Sequence, residues 1–197
     1  GMPMGHDNAT IVPVATSLGL ASFYDFTQVD RIRMAGRSAP VFFVTAAQTQ
    51  LLLAEAKQRG WITTATSAED FYHDAIRANM EQLASYGPSS AVAPADIDAY
   101  VAAHPLAAVN PTAFKQINDE YWIASFLNGP EAFANFRRSG YPALPPNPFP
   151  GKDIAGDFIH RLTYPNSEIS VNTDNVNAAI SRMGEDNLDT RVWWDVP

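Results

Sequence analysis

Cysteine is absent from the sequence, so disulfide bonds, thiolate nucleophiles and cysteine-based zinc sites are excluded. Charged residues are also sparse, at 17% of the 197 residues, and acidic residues outnumber basic ones by 21 to 13. The net charge of -8 repels a phosphate backbone, and no basic stripe offsets it. We therefore expect no nucleic-acid partner.

Long hydrophobic runs are missing as well, since no stretch approaches the roughly 20 apolar residues of a membrane span. Neither a dinucleotide-binding G-x-G-x-x-G motif nor a P-loop is present. The histidines lie far apart, without the spacing of metal ligands, at His6, His73, His104 and His160. The sequence thus predicts no metal site and no cofactor.

The chain is rich in apolar side chains, which make up 46% of it and include 4 Trp, 7 Tyr and 11 Phe. This composition is typical of a globular protein that buries a core as one domain or as part of a larger one. Residues 1–40 show no clean periodicity, and we predict an irregular loop region there, with a short strand at Thr10–Ala15. Residues 41–197 are predicted to form a separate, helical region.

Two helices are predicted at 46–59 and 68–86, and each has a start signal. Thr45 and Ser67 occupy the N-cap positions, where a hydroxyl satisfies a backbone N–H of the first turn. Gly60 supplies the left-handed residue at the end of the first helix. The short polar loop between them indicates an antiparallel helical hairpin.

Four further helices are predicted at 95–103, 112–128, 131–139 and 175–183. The fold class is therefore mostly α, with long irregular loops between the helices. Loops of this length are uncommon in a compact domain unless they are functional or packed against something. They favour a piece of a larger helical fold.

Several acidic residues on the predicted helices could supply the two carboxylates used in glycoside hydrolysis. They are Glu55, Glu69, Asp70, Asp74, Glu81, Asp119 and Glu120. Helix faces and first turns favour acids through solvent and the helix dipole, so we interpret them as structural. The sequence also lacks a nucleophile elbow, and no catalytic residue is predicted.

Aromatic side chains could stack on sugar rings, because their faces offer flat apolar contact. The candidates are Trp61, Tyr100, Trp122, Trp193 and Trp194. Trp122 lies on a helix stripe and Trp61 follows a helix end, positions that favour packing in the core. Phe23 and Tyr24, in the irregular N-terminal region, are better placed for an exposed platform, and we predict that they bind ligand.

The segment "EAFANFRRSGYPALPPNPFP" carries Arg137 and Arg138 in the last turn of a helix. Cations there are stabilised by the helix dipole. One of the two could also fork onto a buried carboxylate, and the candidates are Glu131, Glu168 and Asp195. An anion site would need converging polar groups that the sequence does not show. We therefore predict a structural clamp formed by Arg137, Arg138, Tyr141 and Glu168.

Six blocks occur together in the order typical of one family. They are "LLLAEAKQRGW", "DFYHDAIRANME", "QINDEYWIASFLNGPEAFANFRRSGYPAL", "HRLTYPNSEISVN", "NVNAAI" and "TRVWWD". Over roughly residues 40–197, and at the "GMPMG" start, the chain resembles the C-terminal part of a SusD/RagB-family lipoprotein. Phe133 and Tyr121 depart from this pattern, since the family commonly has Trp and Gln there.

The resemblance implies a non-catalytic protein of the outer membrane that captures glycans at the cell surface. It implies delivery of the glycan to a SusC-like TonB-dependent transporter, and a scaffold of tetratricopeptide-like helical pairs. The signal peptide and lipid-bearing cysteine of the family would lie outside this sequence. Within the hairpin, Ala54, Ala56 and Ala75 are small enough to let two helices cross closely.

Two alternatives remain open from the residues alone. The first is a glycoside hydrolase of a helical class, which would bring two carboxylates together across a cleft. The second is a helical-repeat scaffold that binds only protein, with a concave polar surface. The resemblance itself transfers no ligand-contact residue to this chain.

Overall fold

The computed structural model describes residues 1–195, and every regular element in this part of the chain is a helix. The α-helices are α1 (Ile11–Ser17), α2 (Arg31–Met34), α3 (Ala46–Gln58), α4 (Ala68–Gln82), α5 (Pro94–Ala103), α6 (Asn110–Ala124), α7 (Gly129–Ser139), α8 (Asn166–Val171) and α9 (Thr173–Met183). Short 3-10 helices lie at Phe23–Asp25, Leu83–Tyr86 and Pro88–Ser90. The predicted mostly α fold class is confirmed. Among these described helices, none is both long enough and apolar enough to cross a membrane.

Helices α3 and α4 pack against each other and begin where the capping signals predict. The Thr45 hydroxyl accepts the N–H of Gln48 at 3.1 Å, and the Gln48 side chain accepts the N–H of Thr45 at 3.0 Å. Ser67 and Asp70 make the same reciprocal pair at the start of α4. Each box satisfies backbone donors that the first turn of a helix leaves without a partner.

The main core joins α3 and α4 to α5 and α6, and it mixes small residues with a few large ones. Its buried members are Ala47, Leu51, Ala54, Tyr72, Ala75, Ile76, Ile97, Val101, Ile117, Tyr121 and Ala124. Two of the predicted crossing residues, Ala54 and Ala75, are buried in it, and Ala56 is half-buried. A small side chain at a crossing point lets the two helix backbones approach closely.

The chain divides into two compact units. Unit 1 combines Gly1–Gln28 with Pro145–Pro197, of which the structure describes residues up to 195, and unit 2 is Val29–Leu144. Unit 2 contains the main core, while unit 1 has a small apolar cluster of Ile11, Ala15 and Phe26. The predicted division between residues 40 and 41 stays a prediction.

The predicted strand at Thr10–Ala15 is wrong, because helix α1 occupies this stretch. The Asp7 carboxylate accepts the N–H groups of Ala9 and Thr10 at 3.0 and 2.8 Å, forming a turn that starts the helix. Ile11 and Ala15 are then four residues apart and share the buried face. That spacing was readable from the sequence.

Candidate functional site

Arg138, in the last turn of α7, forms a two-pronged ion pair with Glu55 of α3. Its Nη1 and Nη2 atoms donate to Oε1 and Oε2 of Glu55 at 2.8 and 2.7 Å. Arg59 donates a third hydrogen bond to Oε1 at 2.8 Å, and Glu55 is only 3% exposed. Glu55 is therefore structural, as we interpreted the acids of the helices, but it lies buried in an ion pair and not on a solvated helix face. Arg138 thus pairs with Glu55, which was not among the three carboxylates that we named from the sequence as its partners.

Two buried asparagines complete the surroundings of Arg138. Its Nη2 atom donates to the side-chain oxygens of Asn135 at 2.7 Å and Asn118 at 3.2 Å. Asn135 Nδ2 donates to Asn118 Oδ1 at 3.1 Å, so the two amides are themselves connected. The network links α3, α6 and α7, and the fixed geometry of the guanidinium group sets how the three helices meet.

The electrostatics of this network keep both partners charged. Burial raises the pKa of the Glu55 carboxyl, but the hydrogen bonds from Arg138 and Arg59 outweigh burial and leave the pKa below its ordinary value. The hydrogen bond to Glu55 in turn raises the pKa of Arg138. An acid and a base shifted apart in this way hold their charges near neutral pH. This chemistry suits a structural tie better than proton transfer.

The other predicted clamp residues, Arg137, Tyr141 and Glu168, make the following contacts. The Arg137 guanidinium lies over the Phe133 ring, 5.4 Å from its centroid. The Tyr141 N–H donates to the Ser139 hydroxyl at 3.1 Å. Glu168 belongs to unit 1, where it accepts the Asn172 side-chain amide at 2.5 Å. The clamp role of the four residues stays a prediction.

Phe23 and Tyr24, the predicted ligand-binding pair, lie in the 3-10 helix of unit 1. Ser22 and Asp25 form a capping box around them, with Ser22 accepting the Tyr24 N–H at 3.2 Å. The two ring centroids are 4.3 Å apart. Phe23 packs against the cluster around Ile11, while Tyr24 is 71% exposed. A supported ring with one free face can stack on a sugar, and the ligand role stays a prediction.

The remaining aromatic candidates differ widely in exposure. Trp61 is 71% exposed, so our expectation that it packs in the core is wrong; the Arg59 guanidinium lies 5.1 Å from its ring. Trp122 is partly exposed and meets Phe136 edge-on at 6.4 Å. Tyr100 stacks on His104 at 3.9 Å, within unit 2. The position after a helix end did not reveal which way Trp61 points.

Unit 1 contains a cavity of about 480 Å³ beside the last described helix. It is lined by Tyr164, Ala179, Arg182, Met183, Arg191 and Trp193. Its volume lies in the range of about 300 to 1,000 Å³ that ligand pockets occupy. Two cavities in unit 2, near Arg77 and near Arg37, are smaller, at about 290 and 260 Å³. Sequence reasoning singled out Trp193 but missed the two arginines, which α9 and the chain near residue 191 bring together.

Most of the candidate carboxylates form hydrogen bonds or ion pairs with other groups of the protein. Asp70 caps α4, Asp119 pairs with Lys115, and Glu120 accepts the Tyr100 hydroxyl at 3.3 Å. Glu69 accepts the Leu106 N–H at 3.1 Å, and Glu55 belongs to the Arg138 network. Asp74 and Glu81 are exposed on α4. Within residues 1–195, no group of three or more His, Asp or Glu side chains is arranged to hold a metal ion.

The sequence model of one family, SusD-like, described as "Susd and RagB outer membrane lipoprotein", matches residues 14–195. The chain belongs to this SusD-like family. The match confirms the resemblance over residues 40–195, extends it back to residue 14, and does not reach the "GMPMG" start. The family name also agrees with the expected outer-membrane location.

Solved structures similar to this SusD-like chain include a chitin-binding protein, at 43% identity and a TM-score of 0.69. A second is a Bacteroidetes AC2a SusD-like protein, at 39% identity and a TM-score of 0.66. A third is a chitin-binding SusD homolog from Flavobacterium johnsoniae, at 29% identity and a TM-score of 0.62. The alignments cover 77%, 77% and 79% of this chain, but 33%, 30% and 37% of those chains. The chain thus spans about a third of the length of these relatives. No curated protein matches it.

Proposed function

We propose that this SusD-like chain binds chitin-type oligosaccharides at the outer membrane without cleaving them. The observation that carries the proposal is the 43% identity, over 77% of the chain, with a chitin-binding protein. A second chitin-binding relative is 29% identical over 79% of the chain. Membership of an outer-membrane lipoprotein family supports a role in capturing glycans outside the cell.

The Tyr24 ring is the surface that best suits such a ligand. Sugar rings present C–H groups on their faces and polar groups at their rims, so an aromatic face with a hydroxyl edge matches both. Tyr24 is held by the capping box of its 3-10 helix and is backed by Phe23, which packs on the apolar cluster. This support reduces the ordering cost of binding.

The absence of catalysis in this proposal is supported by the interactions of the acidic side chains. Five of the seven candidate carboxylates serve caps, ion pairs or hydrogen bonds to other groups of the protein. A retaining or inverting glycosidase needs a pair of carboxylates free to act on the two sides of one glycosidic bond. Binding without hydrolysis then leaves the oligosaccharide intact for transport.

We further propose that the bound glycan is delivered to a SusC-like TonB-dependent transporter. This partner is implied by the family resemblance. Co-purification of the transporter with a tagged chain from outer membranes is the measurement for it. Recovery of the chain without any such transporter would count against delivery, while leaving glycan binding to its own test.

Calorimetry of the 197-residue chain with chitohexaose, cellohexaose and maltohexaose tests the binding proposal. We expect chitohexaose to bind and to be recovered intact by chromatography. Tyr24→Ala should weaken this binding by roughly tenfold, the equivalent of about 1.4 kcal/mol of stacking and contact. Trp61→Ala, an exposed aromatic residue of unit 2, is the matched control and should bind as the parent does.

The result that overturns the proposal is a folded chain that binds none of the three sugars. Recovery of shortened chitohexaose would instead support a glycoside hydrolase. Equal losses for Tyr24→Ala and Trp61→Ala would place the ligand elsewhere than on the platform. A thermal unfolding curve for each variant shows that loss of binding is not loss of fold.

A further inference from the structure

We propose that the 480 Å³ cavity of unit 1 binds a sugar unit that carries an anionic group, either a carboxylate or a sulfate. The inference rests on the proposed function in that the ligand is a saccharide. It adds a second site, separate in sequence from the Tyr24 platform, and a second class of ligand.

Trp193 provides the apolar contact of this cavity. Its side chain is 92% exposed, so a large aromatic surface faces solvent next to a space of ligand size. Tyr164 adds a second ring to the lining, and Met183 adds a flexible thioether that adapts to irregular shapes. Such a wall suits the apolar face of a sugar ring.

Arg182 and Arg191 provide the polar contacts, and both offer only hydrogen-bond donors. Within residues 1–195, Arg182 forms no ion pair. Arg191 donates from Nη1 to Asp195 at 2.7 Å, and its Nη2 and Nε groups remain to donate to a ligand. A lining of donors requires a ligand with acceptors. Carboxylate and sulfate groups match a guanidinium best, because each presents two oxygens to two parallel N–H groups.

The charge of the cavity is opposite to that of the chain. Its lining contains two basic residues and no acidic one, although the whole sequence has a net charge of -8. Asp195 is not part of the lining, and it pairs with Arg191 and with His160, each at 2.7 Å. Arg161 is paired with Asp186 at 2.7 Å. The positive charge of Arg182 is therefore left for a ligand.

The experiment compares acidic sugars with neutral versions of the same size. Calorimetry on the 197-residue chain uses tetragalacturonate against its methyl ester, and N-acetylglucosamine 6-sulfate against N-acetylglucosamine. We expect at least one acidic probe to bind roughly tenfold or more tightly than its neutral partner, as charge-assisted hydrogen bonds predict. Binding of that probe should weaken at high salt. Whichever acidic probe binds identifies the carboxylate or the sulfate as the recognised group.

Variants then assign the binding to the cavity. Arg182→Gln should abolish the preference for the acidic form, and Trp193→Ala should weaken both forms. Both side chains are exposed, so we expect these variants to fold, and unfolding curves check this. Arg31→Gln and Trp61→Ala, exposed residues of unit 2, are the matched controls and should leave binding unchanged.

Three results would overturn the inference: equal affinity for acidic and neutral forms, an unchanged preference in Arg182→Gln, or no binding of either acidic probe by the folded chain. Chitohexaose, measured on the same samples, separates this inference from the proposed function. If chitohexaose binds and the acidic sugars do not, only the cavity assignment fails. If the acidic sugars bind and chitohexaose does not, the chitin proposal fails and the cavity assignment stands.

Discussion

Glu55 loses almost all contact with water on folding, so its charge has to be matched inside the protein. Arg138 and Arg59 supply three charge-assisted hydrogen bonds to it. Removing Arg138, whose own side chain is 41% exposed, is costly because the buried charge of Glu55 stays behind with less compensation. The contribution of Arg138 is therefore best measured as the change in the free energy of unfolding when its guanidinium group is removed.

Arg138→Met should lower the free energy of unfolding by about 2 to 3 kcal/mol, because Glu55 loses two charge-assisted hydrogen bonds and keeps only the one from Arg59. Chemical denaturation measures the change. Chitohexaose binding by the folded variant should stay unchanged if Arg138 is a clamp.

Arg77→Met is the matched control for this prediction. The ion pair of Arg77 with Asp98 is exposed on both sides, and pairs of this kind contribute about 0 to 1 kcal/mol. A loss in Arg138→Met no larger than that in Arg77→Met would contradict the clamp. So would a fully stable Arg138→Met that no longer binds sugar.

Glu120 is a buried acid without a guanidinium partner of this kind. Burial raises the pKa of its carboxyl, and the hydrogen bond from Tyr100 and the nearby His104 oppose burial without cancelling it. A raised folded-state pKa means that the ionised form of Glu120 destabilises the fold. The cost is present above that pKa and declines as pH falls toward the ordinary value for glutamate.

Glu120→Gln should therefore raise the thermal unfolding midpoint at pH 7, since glutamine keeps an oxygen acceptor for Tyr100 and carries no charge. The advantage should shrink as pH is lowered through the raised pKa, and it should vanish below the ordinary glutamate pKa, where Glu120 is neutral in both states. Glu81→Gln, an exposed change on α4, is the control and should show little difference. A midpoint for Glu120→Gln that is lower than the parent's at pH 7 would contradict this account.

At the scale of elements, the hairpin of α3 and α4 depends on small residues where the two helices cross. Ala54 is 0% exposed, whereas Ala56, two positions along the same helix, is half-buried. Residues two apart on a helix point to different sides, so one faces the partner helix and the other does not. The sequence pattern named both alanines, and the packing separates them.

Ala54→Leu should lower the free energy of unfolding by about 1 to 3 kcal/mol, because a larger side chain has to be accommodated in a packed crossing. Ala56→Leu should cost clearly less, since its side chain can turn toward solvent. Denaturation of both variants measures the difference. Equal costs would mean that the crossing is not as close as the burial of Ala54 indicates.

At the scale of the whole molecule, the main core lies within one unit. All of its buried members belong to residues 47–124, inside Val29–Leu144. Unit 1, in contrast, combines the two ends of the chain, and its small apolar cluster comes from residues 11–26 alone. Because apolar burial is the main stabilising contribution, the two units should differ in stability.

A protein consisting of Val29–Leu144 alone should therefore retain most of the helical circular dichroism expected for α3 to α7 and should unfold cooperatively. The complementary test is limited proteolysis of the whole chain, in which the first cleavages should fall in unit 1. An unfolded Val29–Leu144, or first cleavages within α3 to α6, would contradict the assignment of the core to this unit.

Several features were predictable because they depend on neighbours in sequence. The N-caps at Thr45 and Ser67 bond to residues only three positions away, and both form as predicted. The family resemblance rests on contiguous blocks such as "FRRSGYPAL" and is confirmed by the match to residues 14–195. Helix α1 was missed because its turn chemistry at Asp7 was not recognised.

The sequence by itself determined the helical class, the caps that place α3 and α4, and the family to which the chain belongs. All of these depend on spacing over a few residues or on ordered blocks of sequence. Only the tertiary structure decided that Arg138 grips Glu55, 83 positions away, that Trp61 faces solvent, and that Arg182 and Trp193 share a cavity. The physical reason is that burial and charge pairing are set by which helices meet. No local pattern fixes the partner of a side chain across the fold.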